Sequence, residues 1–178
     1  TVELAYPGDI VGLVNASALR PGDTLHADGA PVAFPPIPSF APEHFAVVRT
    51  ADTSKGKQFR RGIEQLEQEG VVQVLRSDLR GDAAPILAAV GPLQFDVATH
   101  RMTHEFRAPV TLEHLPYSLA RITSAGDLPV LNAERGCEVA ERGDGALLAL
   151  FTDRWRLNSV RRAHPEMTLE PLVADADQ

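Results

Sequence analysis

The stretch FRRGIEQLEQEGVVQVL, residues 59–75, decides the fold because its hydrophobic period changes partway along it. Phe59, Ile63 and Leu66 are spaced i, i+4 and i+7, which places them on one face of a helix predicted over residues 54–69. Thr53 or Ser54 is the predicted N-cap, and a glycine at position 70 ends the helix. The apolar run that follows at 71–75 is typical of a strand.

Elements of the same two kinds flank this helix and strand. Strand patterns occur at residues 45–48, 86–90 and 110–112, and a second helix is predicted over 93–106 with Pro92 at its first turn. The order β-α-β-β-α-β is typical of the ferredoxin-like fold. We therefore predict the α+β class, with a ferredoxin-like unit over residues 45–115 whose core includes Phe59, Ile63, Leu66 and Phe95.

The remainder, residues 116–178, is predicted to form a second, looser α/β unit. Strand patterns occur at 119–123, 138–140, 147–151 and, more briefly, 167–169, with helices at 128–134 and 153–164. Trp155, Ser159 and Ala163 lie four apart in the last helix, and therefore share one face. Residues 174–178 form an acidic tail expected to fray.

The first part of the chain contains short apolar runs separated by turn signals. Strand patterns occur at residues 2–4, 10–14 and 24–26, and Pro-Gly-Asp turns at 7–9 and 21–23 separate them. This spacing predicts that residues 1–34 are the end of a β-barrel domain. Residues 35–44 hold four prolines and are predicted to be a stiff linker to the next domain.

The composition is that of a folded protein, with 44% hydrophobic and 23% charged residues. One cysteine excludes a disulfide framework, and no apolar run reaches the roughly 18 residues of a membrane span. We therefore expect a cytoplasmic protein with no membrane partner. The net charge of −7 argues against general nucleic-acid binding, but residues 151–164 carry four arginines and one aspartate, a local charge of +3.

No stretch of the sequence carries a recognisable active site. The string nearest to a phosphate-binding loop, residues 51–58, has Ala51 in place of the first glycine and Gln58 in place of the magnesium-binding hydroxyl. His100 and His104 share a helix face, but Arg101 stands where a zinc protease has glutamate. Cys137 has no nucleophile signature around it, and the predicted strand places Glu138 and Glu141 on opposite faces. We predict no catalytic, cofactor or metal residue in this chain.

Several segments resemble the translational GTPase family. Residues 8–13 and 19–25 are similar to the last strands of that family's second domain, the β-barrel that follows the GTPase domain. Within the family, three strings resemble the bacterial class II peptide chain release factors: IPSFAPEHF at 37–45, QLEQEGVVQV at 65–74 and GPLQFDV at 91–97. Elongation factor G shares the pattern at 91–96, but does not resemble FAPE at 40–43 or the stretch after residue 115.

The resemblance implies a function that the residues alone do not. It implies the C-terminal ribosome-binding and coupling region of a termination GTPase, which promotes GTP-dependent release of class I release factors. GTP and Mg²⁺ would then be held by an N-terminal domain that this sequence lacks. The implied partners are ribosomal RNA and protein, with class I factors contacted indirectly, and the chain is expected to be a monomer.

Two other classes of function compete with this interpretation. The chain would be a free-standing ferredoxin-like regulatory module if residues 50–57 formed a glycine-rich ligand loop, but that segment has one glycine. It would be an enzyme if polar groups clustered in an unrecognised site.

Two sets of basic residues are candidate ribosome contacts. Arg154 and Arg161 are seven residues apart and share a face of the last helix. Lys57, Arg60 and Arg61 form a second set on the first predicted helix. The alternative for both sets is a solvated helix surface. Arg161 and Arg162 would then be stabilised by the negative C-terminal end of the helix dipole.

Overall fold

The computed structural model describes residues 4–16, 19, 22–27, 29, 31, 32, 34, 40–81 and 83–172. The chain divides into two compact units, Thr1–Ile37 and Pro38–Gln178, and the division falls inside the predicted proline-rich linker at 35–44. Residues 35–39 of that linker, residues 2 and 3 of the first predicted strand, and the acidic tail at 174–178 lie outside the described residues.

In the first unit, the described residues form turns and irregular backbone. Gly8 adopts a φ of +99° in a turn where Asp9 accepts a hydrogen bond from the backbone N–H of Tyr6. None of the residues described before position 44 lies in a strand, and Ile10 and Val14 are exposed. The prediction of a barrel end over residues 1–34 is therefore not confirmed. A strand forms only where a neighbour takes its backbone hydrogen bonds, and these apolar runs have no such neighbour among the described residues.

The second unit contains seven strands and four helices. The strands are β1 (His44–Thr50), β2 (Gln73–Arg76), β3 (Ile86–Ala89), β4 (Val110–His114), β5 (Leu119–Thr123), β6 (Cys137–Arg142) and β7 (Leu147–Phe151). The helices are α1 (Gly56–Gln68), α2 (Leu93–His104), α3 (Leu128–Ala133) and α4 (Arg154–Ala163), with short 3-10 turns at Thr53–Lys55 and Ala125–Asp127. The predicted β-α-β-β-α-β order over residues 45–115 is present, and the fold belongs to the α+β class.

All seven strands form one antiparallel sheet in the order β4-β1-β3-β2-β6-β7-β5. The first four strands therefore make one half of the sheet, and the last three make the other. The halves join where β2 pairs with β6, through Leu75 opposite Arg142 and Arg76 opposite Glu141. The predicted boundary at residue 115 separates the two halves in the sequence, but the sheet is continuous across them.

The two edge strands of this sheet, β4 and β5, follow each other in the chain. The five residue steps from His114 to Leu119 span at most about 17 Å. A flat sheet of seven strands would separate its edges by about 29 Å. The sheet must therefore curl until its two edges approach each other.

The second unit has three clusters of buried side chains. The first lies under α1 and α2 and includes Phe59, Ile63, Leu66 and Phe95, which confirms the predicted core. The second lies between the halves and draws on both, with Phe45 of β1 and Leu148 of β7 as members. The third lies under α3 and α4. The run at 45–48 is continuously apolar because β1 is buried on both faces, toward the first and second clusters.

Helix α1 begins and ends for local reasons. Asp52, rather than the predicted Thr53 or Ser54, caps the 3-10 turn Thr53–Lys55 that leads directly into α1: its carboxylate accepts hydrogen bonds from the N–H and hydroxyl of Ser54 at 2.9 and 2.7 Å. At the other end Gly70 adopts a φ of +71°, a conformation that favours glycine and turns the chain into β2.

Helix α4 buries a face other than the one that Trp155, Ser159 and Ala163 share. Its N-cap is Asp153, whose carboxylate accepts the N–H of Arg156 at 2.7 Å. Leu157 and Val160 are buried, whereas Trp155 is 73% exposed. The shared face of Trp155, Ser159 and Ala163 is therefore not the core face, because the branched aliphatic side chains one third of a turn away fill the third cluster instead. The strand predicted at 167–169 is reduced to one antiparallel bridge between Glu170 and Ile122 of β5.

Candidate nucleic-acid interface

Helix α1 presents one cationic face to solvent. Lys57, Arg60 and Arg61 are all exposed and fall within an arc of about 100°, on the side opposite the buried Phe59, Ile63 and Leu66. None of the three cations forms an ion pair or a hydrogen bond within the part of the chain that the structure describes. We call the exposed side of α1 that carries these three residues the α1 basic face.

The α1 basic face also contains an acidic residue. Glu64 lies within the arc of the three cations and is exposed. The face therefore carries a charge of +2, small beside the net charge of −7 of the whole chain. Because charges are screened over roughly 8–10 Å at physiological salt, a phosphate at this surface responds to the local cations more than to distant acids.

The two arginines predicted as contacts on α4 differ in their surroundings. Arg161 donates a hydrogen bond from Nη2 to the carbonyl oxygen of Leu169 at 2.7 Å, and so fastens the segment after the helix to the helix itself. Arg154 is exposed and forms no ion pair or hydrogen bond with any described residue. Of this predicted pair, Arg154 is therefore the residue with an uncommitted guanidinium.

The other two arginines of α4 are likewise unequal. Arg156 lies 3.3 Å from a carboxylate oxygen of Glu134 and donates to the carbonyl oxygen of Arg135, so it ties α4 to the segment before β6. Arg162 is exposed and makes no such contact within the described ranges. The structure thus brings Lys57, Arg60 and Arg61 together on one helix, and places Arg154 and Arg161 on another helix over a different core cluster.

The segment that is nearest to a phosphate-binding loop, residues 51–58, is capped by the carboxylate of Asp52. The Asp52 carboxylate takes the N–H of Ser54, a donor that a phosphate would otherwise use, and these hydrogen bonds lower the pKa of Asp52 below its usual value. A carboxylate that remains ionised at this helix start repels a nucleotide phosphate. The segment at 51–58 is therefore a capped helix start rather than an anion cradle.

A buried charge cluster joins the two halves of the sheet, and the sequence pattern alone did not reveal it. Glu138 of β6 is 2% exposed and receives two hydrogen bonds of 2.7 Å from Arg80, which lies between β2 and β3. Tyr117 donates a third hydrogen bond at 3.0 Å from the segment between β4 and β5. In the sequence, Glu138 stands out only as an acid beside the two apolar residues Val139 and Ala140 of β6.

The charges in this cluster stabilise each other. Burial alone would raise the pKa of Glu138, but the hydrogen bonds and positive charge of Arg80 lower it overall. Hydrogen bonding to Glu138 raises the pKa of Arg80, and burial next to that carboxylate raises the pKa of Tyr117 to about 12. At neutral pH Glu138 is therefore ionised, Arg80 is protonated and Tyr117 is neutral, so the cluster has the properties of a structural tie between the halves and not of an acid–base site.

The remaining polar candidates do not form a reactive site. Burial, together with the charge of Glu134, raises the pKa of the Cys137 thiol to about 12, so little thiolate is present at neutral pH. His100 and His104 have their ring centroids 4.4 Å apart on α2. Among the residues that the structure describes, no three His, Cys, Asp or Glu side chains cluster closely enough to hold a metal ion. No helix in the same residues is long and apolar enough to cross a membrane.

Comparison with known proteins gives the family of this chain. The sequence model of the family described as "Class II release factor RF3, C-terminal domain" matches residues 34–161. The chain is 44% identical over 165 residues to Peptide chain release factor 3 of Symbiobacterium thermophilum, covering 92% of this chain and 31% of that protein. It is 42% identical over 176 residues to Peptide chain release factor 3 of Gloeobacter violaceus, covering 97% of this chain and 33% of that protein.

These matches place the chain among the translation termination factors of protein biosynthesis. Within that class, the chain belongs to the release factor 3 family and carries the family's C-terminal domain. It spans about a third of the length of the curated relatives that it matches. The resemblance of residues 37–45, 65–74 and 91–97 to the class II release factors is thereby confirmed.

Proposed function

We propose that this chain is the ribosome-binding and coupling region of a termination GTPase that promotes GTP-dependent release of class I release factors. Family membership supports the general role in termination, and the α1 basic face is the observation that supports ribosome binding by these residues. In this proposal Lys57, Arg60, Arg61 and Arg154 contact RNA phosphates. Arg161 contributes mainly by positioning the segment around Leu169.

The proposal assigns no catalytic step to this chain. GTP and Mg²⁺ would bind to the part of the longer relatives that the chain does not span, and Asp52 disfavours a nucleotide at residues 51–58. Residues 45–115 would act as a ferredoxin-like unit, which the strand order β4-β1-β3-β2 and the two helices support. The full protein would work in the cytoplasm as a monomer, with class I factors as indirect partners.

The structure offers little support for the alternative of a free-standing ligand-binding module. Such a module needs an open loop between its first strand and first helix, and residues 50–57 are folded around the Asp52 carboxylate. The second core cluster is filled by side chains from both halves, so residues 45–115 also share their core with the rest of the chain.

The test is ribosome co-sedimentation of the chain over a series of salt concentrations. Arg60→Gln combined with Arg61→Gln should weaken binding and flatten the slope of log affinity against log salt, by roughly 0.7–0.9 for each phosphate interaction removed. The matched control is Arg49→Gln combined with Arg142→Gln. This pair removes the same charge from arginines already paired with Glu113 and Asp144, so it should bind as the wild type does. Failure of the wild-type chain to sediment with ribosomes would overturn the proposed function.

A further inference from the structure

Trp155 is a large aromatic side chain with no place in the core. It is the single tryptophan of the chain, lies in the first turn of α4 and is 73% exposed. The helix is held to the protein by Leu157 and Val160 on its other side, so its packing does not require an aromatic residue at position 155.

Apart from Ala163, the exposed residues of α4 around Trp155 are cationic or polar. With about 100° of rotation per residue, Arg162 lies about 20° from Trp155, Asn158 about 60° and Arg154 about 100°. Neither Arg154 nor Arg162 forms a hydrogen bond or ion pair with the described residues. The nearest acid in the sequence, Asp153, is occupied in capping α4. We call Arg154, Trp155, Asn158 and Arg162 the Trp155 face.

An indole flanked by uncommitted guanidinium groups has the chemistry needed to bind an unpaired nucleotide. The indole plane stacks on a base, the arginines bind the flanking phosphates, and Asn158 offers both a donor and an acceptor to the base edge. We propose that the Trp155 face binds an unpaired nucleotide of RNA, with the base stacked on Trp155 and phosphates held by Arg154 and Arg162. This proposal rests on the ribosome binding proposed above, and adds an RNA contact of a different kind.

Two observations favour RNA over a protein partner and over a simple solvated helix. Tryptophan hot spots in protein interfaces lie within a ring of other packed contacts, but the exposed neighbours of Trp155 on this face are polar or charged. Arg162 at the C-terminal end of α4 is also accounted for by the helix dipole, but the dipole gives no reason for an exposed indole at the N-terminal end.

The single tryptophan allows a direct test with the whole chain. Titration with a short oligoadenylate should quench the fluorescence of Trp155 in a saturable way, because a stacked base contacts the indole. Inorganic polyphosphate supplies the charge without a base, and should leave the emission nearly unchanged. Arg154→Gln combined with Arg162→Gln should weaken the oligoadenylate titration, and the control pair Arg49→Gln and Arg142→Gln should not.

A second measurement separates this proposal from the proposed function. Trp155→Leu should weaken binding of labelled oligoadenylate, followed by fluorescence anisotropy, by about 5- to 150-fold, and should also weaken ribosome co-sedimentation. Saturable quenching that polyphosphate does not reproduce would support the nucleotide site, even if the chain failed to bind ribosomes.

Three results would overturn the nucleotide site. One is unchanged emission with oligoadenylate although Trp155→Leu weakens ribosome binding, which would assign the face to a ribosomal protein. The second is quenching by oligoadenylate and polyphosphate alike, which would show attraction of charge without stacking. The third is wild-type behaviour of Trp155→Leu with both oligoadenylate and ribosomes, which would leave the proposed function intact and the face merely solvated.

Discussion

At the scale of single residues, Glu138 links stability to pH. Its pKa is lowered in the folded protein below the ordinary value of 4.5, so the carboxylate adds stability above that value and loses the contribution as the pH falls through its folded pKa. Glu138→Gln should therefore lower the free energy of unfolding at neutral pH by about 1–3 kcal/mol. The difference from wild type should shrink as the solution is made more acidic than pH 4.5. Urea unfolding at several pH values measures this.

The control for that experiment is Glu141→Gln, which changes an exposed carboxylate on the same strand. It should alter stability little at any pH. A difference between Glu138→Gln and wild type that stayed constant down to acid pH would contradict the assignment of a lowered pKa to Glu138.

At the scale of secondary structure elements, Gly62 sets how closely α1 approaches α2. A Cβ at this position would lie 2.6 Å from Sδ of Met102, which is buried, and 3.0 Å from Cγ of Phe106. Gly62→Ala should therefore destabilise the protein by about 1–3 kcal/mol through overpacking, although alanine is the better helix former. The measurement is the denaturant midpoint.

The matched substitution in the same helix is Gly56→Ala. No atom lies within 4 Å of its added Cβ, so this variant should gain up to about 1 kcal/mol of stability. Equal shifts for the two variants would contradict a close contact between α1 and α2 at Gly62.

The contrast between α1 and α4 shows what an element's sequence determines. The face of α1 could be predicted because Phe59, Ile63 and Leu66 are large, apolar and helically spaced, and all three are buried. In α4 the spacing of Trp155, Ser159 and Ala163 fits a helix equally well, but their side chains do not fill the third cluster. Period alone does not say which of two faces is buried when one includes a tryptophan and the other includes Leu157 and Val160.

The candidate interface, like the buried faces of the helices, could be predicted only in part from the sequence. Charge and helical spacing were enough to bring Lys57, Arg60 and Arg61 onto one exposed face. The hydrogen bond from Arg161 to Leu169 and the contact of Arg80 with Glu138 depend on how distant parts of the chain meet. Such contacts follow from tertiary packing, which a local pattern of residues does not encode.

At the scale of the whole second unit, the shared core predicts that both halves unfold together. Ile63 lies on the buried face of α1 in the first half and is 4% exposed, so Ile63→Ala should lower the free energy of unfolding by about 2–5 kcal/mol. Because the sheet and the second cluster are continuous across the halves, amide hydrogen exchange in β7 should accelerate by an amount that corresponds to the same free energy.

The control is Glu64→Ala, an exposed position on the same helix, which should change stability by no more than about 0.5 kcal/mol. If Ile63→Ala reduced helix content at lower denaturant while the β7 amides kept their wild-type protection, the two halves would be independent folding units.

The pairing of the two halves could not be predicted from the sequence, because it involves few residues and these lie far apart in the chain. It consists of two opposed residue pairs between β2 and β6, supported by Arg80 and Glu138, which lie 58 residues apart. Each half has a strand and helix pattern of its own, so sequence periodicity describes the halves and gives no sign of their connection.

The curl of the sheet bears on how the protein avoids aggregation. Unpaired backbone groups along a sheet edge are a template on which another chain can add a strand. Here the edge strands β4 and β5 are joined by residues 115–118, which hold the two edges close to each other, and Glu170 exchanges two backbone hydrogen bonds with Ile122 on the outer side of β5. A second molecule approaching β5 would have to displace that bridge first. The topology that unites the two halves thereby also protects a free edge against addition of a foreign strand.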